Sequence, residues 1–148
     1  IPEGWNALGK LSKLSLSGNR LESIPVSLTG CAALTILDLS KNRLTSLPGQ
    51  IGLLQNLTDF DVSDNLIVVL PPEMSTMRKL KRLTLTNNKL ESVPEGLLTS
   101  TPVEKIIIDG NPVVLDQQAG FESYNDRRVK IVDKQLEMMP GQAVRKGL

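Results

Sequence analysis

The chain has 148 residues, 40% of them hydrophobic, and its 17 Lys and Arg against 16 Asp and Glu leave a formal charge of +1. This size and composition suit one domain with a packed core, and the near-neutral balance argues against a nucleic-acid or anionic membrane partner. His is absent and Cys31 is the single Cys, which removes the commonest general base and metal ligand and any internal disulfide.

The chain is periodic. Leu34-Thr35-Ile36-Leu37-Asp38-Leu39-Ser40-Lys41-Asn42-Arg43-Leu44 reads L-x-x-L-x-L-x-x-N-x-L. The same pattern starts at Leu11, Leu57, Leu80 and Val103, and Asn19, Asn42, Asn65, Asn88 and Asn111 fall in register. Residues 1–10 are expected to be the back half of a repeat, because Ile1-Pro2 aligns with Ile24-Pro25, and Ile1, Trp5 and Leu8 with Ile24, Leu28 and Cys31. With no initiator Met, the chain reads as a fragment whose earlier repeats are absent. Four full units follow over 11–33, 34–56, 57–79 and 80–102, and a terminal unit begins at 103.

Each unit predicts the same local structure. The opening alternation makes a short strand with Leu37 and Leu39 inward and Ile36, Asp38 and Ser40 outward. Copies stack in parallel, and the Asn amides bond loop backbone that has no ladder partner. The next inward residues are Leu21, Leu44, Ile67 and Leu90. Ile24-Pro25, Leu47-Pro48, Leu70-Pro71 and Val93-Pro94 then place Pro in the first turn of a helical segment. Leu28, Ile51, Met74 and Leu97, with Cys31, Leu54 and Met77 three residues later, predict a short convex helix or 3₁₀ turn. Cys31 shares a column with Leu8, Leu54 and Met77, so a small core residue is the expected role rather than a reactive thiol. Asn56-Leu57-Thr58 is a glycosylation sequon, but Leu57 is a core position.

The terminal unit has Ile106-Ile107-Ile108 and Asn111-Pro112 but no following L-P pair. The chain instead predicts a helix over about 119–138. Its apolar face holds Phe121, Tyr124, Val129, Ile131, Val132, Leu136, Met138 and Met139, and Glu122, Asp126, Lys130, Lys134 and Glu137 lie opposite. A solenoid needs a cap, and this helix is expected to be one, with partner binding the alternative use of that face. Arg127 and Arg128 are expected on a solvated helix edge, contact with acidic partners being the alternative. Pro140-Gly141 ends the helix. The expected organisation is repeats over 1–115, a helical cap over 116–139 and a tail over 140–148.

The repeated pattern resembles the leucine-rich repeat consensus. That resemblance implies an α/β solenoid, a horseshoe with a parallel concave sheet, short convex helices or 3₁₀ turns and a C-terminal capping helix. The 23-residue L-P units over 1–115 resemble intracellular proteins of the Ras-pathway scaffold group and its plant relatives. Gly120-Phe121-Glu122-Ser123-Tyr124-Asn125-Asp126-Arg127, following Asp109-Gly110-Asn111, resembles the C-terminal segment of the leucine-rich-repeat-containing protein fifty-seven group. The resemblance implies a small, non-catalytic, intracellular interaction protein with no catalytic residues to carry over.

Four outward columns are expected across the concave sheet: Lys13, Ile36, Asp59, Arg82 and Lys105; Ser15, Asp38, Asp61, Thr84 and Ile107; Ser17, Ser40, Ser63, Thr86 and Asp109; and Gly18, Lys41, Asp64, Asn87 and Gly110. Asp59 beside Arg82, and Lys41 beside Asp64, are expected to satisfy each other. Asp38 beside Asp61 is mildly unfavourable and suits a basic ligand group, the alternative being two hydrated carboxylates. Ile36 and Ile107 add apolar contacts. At the rim, Leu66, Val68 and Val69 replace the polar residues of the other units, making either an exposed patch or a locally repacked loop.

These readings predict a non-catalytic scaffold that binds a protein partner through the concave face, the third-repeat rim or both, a basic surface on that partner being one reading of the acidic pair. The alternative is a regulatory or targeting segment of a larger signalling enzyme. No cofactor, metal, nucleic acid or transmembrane segment is expected. The protein is expected to be cytoplasmic, since the absence of cysteine-rich end caps favours a reducing compartment. It should be monomeric alone or part of a larger complex.

Overall fold

In the computed structural model of the protein, residues 8–137 are described. Ile1, Trp5, Met138, Met139, Pro140-Gly141 and the tail fall outside them.

Five three-residue strands form one parallel sheet in sequence order: β1 Lys13–Ser15, β2 Ile36–Asp38, β3 Asp59–Asp61, β4 Arg82–Thr84 and β5 Lys105–Ile107. Every register pair joins equivalent residues of adjacent repeats, such as Leu37 to Phe60 and Phe60 to Leu83. The return paths are 3₁₀ turns over Val26–Gly30, Gly49–Leu53 and Pro72–Thr76, and a short helix α1, Glu95–Thr99. Helix α2, Phe121–Glu137, follows a further 3₁₀ turn over Leu115–Gln117.

The alternating leucines explain the core. Leu34, Leu37, Leu39 and Leu44 are fully buried, and so are Leu57, Val62 and Ile67 one repeat on. Return-path residues Leu28, Cys31, Ile51, Met74 and Met77 close the layer. Burying one such side chain stabilises by about 1.5–3 kcal/mol, but only when the neighbouring repeat covers it. One expectation shifts by a residue. Pro25, Pro48, Pro71 and Pro94 are extended residues just before the helical turn rather than inside it. Pro72 alone stands at a helical start.

The asparagine ladder forms as expected. Asn65 Nδ2 donates to Leu39 O at 3.0 Å, Val62 O at 3.0 Å and Ser63 O at 3.2 Å, while its Oδ1 accepts from Leu44 N at 2.9 Å. Asn42, Asn88 and Asn111 repeat the pattern. Each amide thus ties its own turn to the preceding repeat.

Helix α2 caps the last layer, but with less of its apolar face than the sequence predicts. Tyr124 is buried and Phe121 partly so, whereas Val129, Val132 and Leu136 are 44%, 47% and 41% exposed. The first turns lie over α1, and Gly120 permits this approach. Its φ is +89°, and an added Cβ would meet Thr99 Cγ2 at 2.9 Å and Glu95 O at 3.1 Å. The hydrophobic residues of the C-terminal turns are therefore left largely uncovered.

The cap is fastened by polar groups. β5 is the last strand, and Tyr124 Oη accepts from Ile106 N at 3.1 Å in place of a further strand. Arg127 is not on a solvated edge: its Nε donates to Val103 O at 2.9 Å and its Nη2 to Leu98 O at 3.0 Å. Partial burial lowers its pKa, opposed by Tyr124 and Glu104, and an arginine so placed keeps its charge. The sequence does carry a signal for both residues, the Gly120-Phe121-x-x-Tyr124-x-x-Arg127 spacing.

Candidate interaction surface

The strand register places the first two expected columns on one sheet face. Lys13, Ile36, Asp59, Arg82 and Lys105 are consecutive partners, as are Ser15, Asp38, Asp61, Thr84 and Ile107. Neighbours therefore sit about 4.8 Å apart, one strand spacing. Ile36 and Ile107 are half-buried rather than fully presented.

Asp38 and Asp61 have a local role that the sequence reading missed. Asp38 Oδ1 accepts from Ser40 N at 3.0 Å and Ser40 Oγ at 2.6 Å, and Asp61 Oδ1 accepts from Ser63 N at 2.9 Å. Aspartates commonly close a turn this way, by bonding backbone two residues on. The repeated D-x-S at Asp38-Leu39-Ser40 and Asp61-Val62-Ser63 was the available signal. Ser40 is consequently buried at 5% exposure, not outward. Its hydroxyl also bonds Ser17 Oγ at 2.9 Å.

The expected opposite-charge pairs do not form. Among the described residues the one ion pair is Lys81 Nζ to Glu104 Oε1, at 3.1 Å. Asp59 and Arg82 are register partners without an ion pair, since exposed pairs gain little in water. Lys41 and Asp64 belong to a turn, not a strand. Lys41, Asp64 and Asn87 have φ of 56°, 54° and 55°, and Gly18 and Gly110 complete this left-handed column. Asp64 Oδ1 accepts from Asn87 Nδ2 at 2.8 Å instead. The interchange of Gly, Asp and Asn in that column was the missed signal.

Leu66, Val68 and Val69 are 40%, 43% and 56% exposed. Arg43, Thr45 and Ser46, their equivalents one repeat earlier, are exposed as well. The third unit therefore presents an apolar patch where its neighbour is polar, and the loop has not turned inward.

Cys31 is fully buried, and burial pushes its thiol pKa up, which suits packing rather than nucleophilic attack. Among the described residues no three His, Cys, Asp or Glu are placed to hold a metal ion. No described helix is long and apolar enough to cross a membrane.

Two family profiles match this chain. One, described as Leucine Rich repeats (2 copies), covers residues 10–52, and another, Leucine rich repeat, covers residues 55–113; together they span more than half of the chain. This is a leucine-rich repeat protein. No curated protein matches it significantly. Among solved structures, a leucine-rich repeat protein of Leptospira interrogans is 27% identical with a TM-score of 0.62, over 75% of this chain and 34% of its own. The functional domain of InlJ from Listeria monocytogenes, which includes a cysteine ladder, is 26% identical with a TM-score of 0.61, over 74% of this chain and 22% of its own. This leucine-rich repeat chain thus spans about a third and about a fifth of those two proteins. Leucine-rich repeat domains generally mediate protein–protein interaction and are typically non-catalytic.

Proposed function

We propose that this leucine-rich repeat chain is a non-catalytic scaffold that binds a protein partner through its sheet face and the third-repeat rim. The exposed Leu66–Val68–Val69 patch carries the reading, because contiguous exposed apolar side chains mark interfaces. Asp38, Asp59, Asp61 and Asp64 extend the surface as an acidic field that favours a basic partner. Ile36 and Ile107 contribute apolar contact, with Arg82 and Lys105 at the far side of the sheet. Buried Cys31 and the 23-residue L-P units support a reducing, cytoplasmic setting and kinship with the intracellular scaffold group. The proposed division is repeats followed by a helical cap. A place within a larger signalling protein is the second reading, favoured by the greater length of both structural neighbours.

The test is affinity capture with the wild-type chain, Asp38→Lys/Asp61→Lys and Leu66→Ser/Val68→Ser/Val69→Ser. The apolar triple variant should fold with stability within about 0.5 kcal/mol per site, because its residues are exposed. Loss of a partner by either variant supports the surface it alters. Full retention by both rejects these assignments.

A further inference from the structure

Helix α2 leaves part of the end of the solenoid uncovered. Between its C-terminal turns and the last strand is an open cleft of about 920 Å³. That size falls within the range of specific binding pockets. Ile106, Val113, Phe121 and Tyr124 line it from the repeat layer and the start of the cap, and Ile131 and Val132 line it from the helix. The apolar lining is continuous with the uncovered part of α2, where Val132 is 47% exposed.

The charges around this cleft are mostly cationic. Arg82, Lys105 and Arg128 all line it. Arg82 and Lys105 are register partners on β4 and β5. Like charges so placed are unfavourable, and among the described residues neither side chain makes a hydrogen bond or ion pair. Arg128 Nη2 donates to Asn125 Oδ1 at 2.7 Å, which restrains the guanidinium on the helix. Of the two acids lining the cleft, Glu104 is taken by Lys81 at 3.1 Å, leaving Asp116. A carboxylate between Arg82, Lys105 and Arg128 would relieve the repulsion and form charge-assisted hydrogen bonds.

Strand addition is a poorer use of the site. Tyr124 Oη already holds Ile106 N, at the place where a sixth strand would run. Recognition must therefore come from side chains. A polyanion is also disfavoured, because the chain's net charge is only +1.

We propose that the cleft between β5 and α2 binds a short peptide segment in which an aspartate or glutamate is followed closely by a large apolar residue. The acid pairs with Arg82, Lys105 and Arg128, and the apolar side chain packs on Ile106, Val113 and Ile131. The proposal shares with the scaffold reading the class of partner and the two side chains Arg82 and Lys105. It does not use Leu66, Val68, Val69, Asp38 or Asp61, which the scaffold reading's own variants alter, so either proposal can fail alone.

The probe is a phage-displayed library of random nonapeptides, selected on the wild-type chain and then titrated as synthetic peptides. Selected sequences should pair an acid with Leu, Ile, Phe or Met. Arg82→Gln/Lys105→Gln should weaken them by about tenfold or more, and the rim triple variant should leave them unchanged. Amide NMR shifts should cluster at Ile106, Val113 and α2. Circular dichroism verifies that the charge variant folds, and Val132→Ser gives a second variant on the apolar side. The proposal is overturned if no peptide is enriched, if enriched peptides lack acids, or if the charge variant binds them equally. Oligonucleotide binding of equal strength, lost in the same variant, would also overturn it in favour of a general anion site.

Discussion

Replacing Asn65 by Ala measures the amide ladder, with Asn19→Ala as an internal control. The four bonds of Asn65 are not lost at equal cost. Leu39 O keeps Asn42 Nδ2 at 3.0 Å, Val62 O keeps Asn88 Nδ2 at 3.0 Å, and Ser63 O keeps Lys41 N at 2.9 Å. Leu44 N keeps nothing, because Asn65 Oδ1 is its acceptor among the described residues. One buried N–H is therefore orphaned, at about 1–3 kcal/mol, and three carbonyl bonds weaken, for a total of about 2–4 kcal/mol. Asn19 is exposed, and among the described residues its Nδ2 reaches only Leu16 O and Ser17 O of its own repeat. Its loss should cost under about 1 kcal/mol. Urea denaturation followed by circular dichroism should separate the two variants by about 2 kcal/mol. A gap below about 0.5 kcal/mol would refute the reasoning.

Asn65→Asp adds a pH signature. The carboxylate still accepts from Leu44 N but faces Leu39 O and Val62 O without a proton to donate. Burial and those carbonyl dipoles raise its folded pKa above the unfolded value of about 4. Its contribution to stability is then fully present below about pH 4 and is lost as pH rises through the folded pKa. That is the reverse of an ion-paired aspartate.

Gly110→Ala should destabilise more than Gly18→Ala, although both glycines have positive φ, +77° and +75°. The first also drives a Cβ onto Asn87 Oδ1, whereas the second meets open space and costs about 1 kcal/mol; equal costs in thermal melts would count against the packing account. Tyr124→Phe should leave Ile106 N without an acceptor, costing about 1–2 kcal/mol. Arg127→Met should likewise release Leu98 O and Val103 O. Hydrogen exchange should accelerate at the Ile106 amide in the first variant, and unchanged protection would show that Tyr124 does not fasten the cap.

The sequence alone determined the repeat. A fixed 23-residue period means that each residue's spatial neighbours are its own equivalents one unit away, so register, inward columns and asparagine ladder follow from alignment. The column neighbours Asp38 and Asp61 were legible for that reason. Their hydrogen bonds to Ser40 and Ser63 were not, because these depend on the φ and ψ of the turn that ends each strand. Exposure of Leu66, Val68 and Val69 was likewise left open by pattern, since a loop can turn its side chains either way. The cap lies beyond the reach of periodicity. Tyr124 meets Ile106 across 18 residues and Arg127 meets Leu98 across 29, and neither separation is the 23-residue repeat. Only the crossing of α2 over α1 at Gly120 decided which half of that helix is covered, and so created the cleft beside β5.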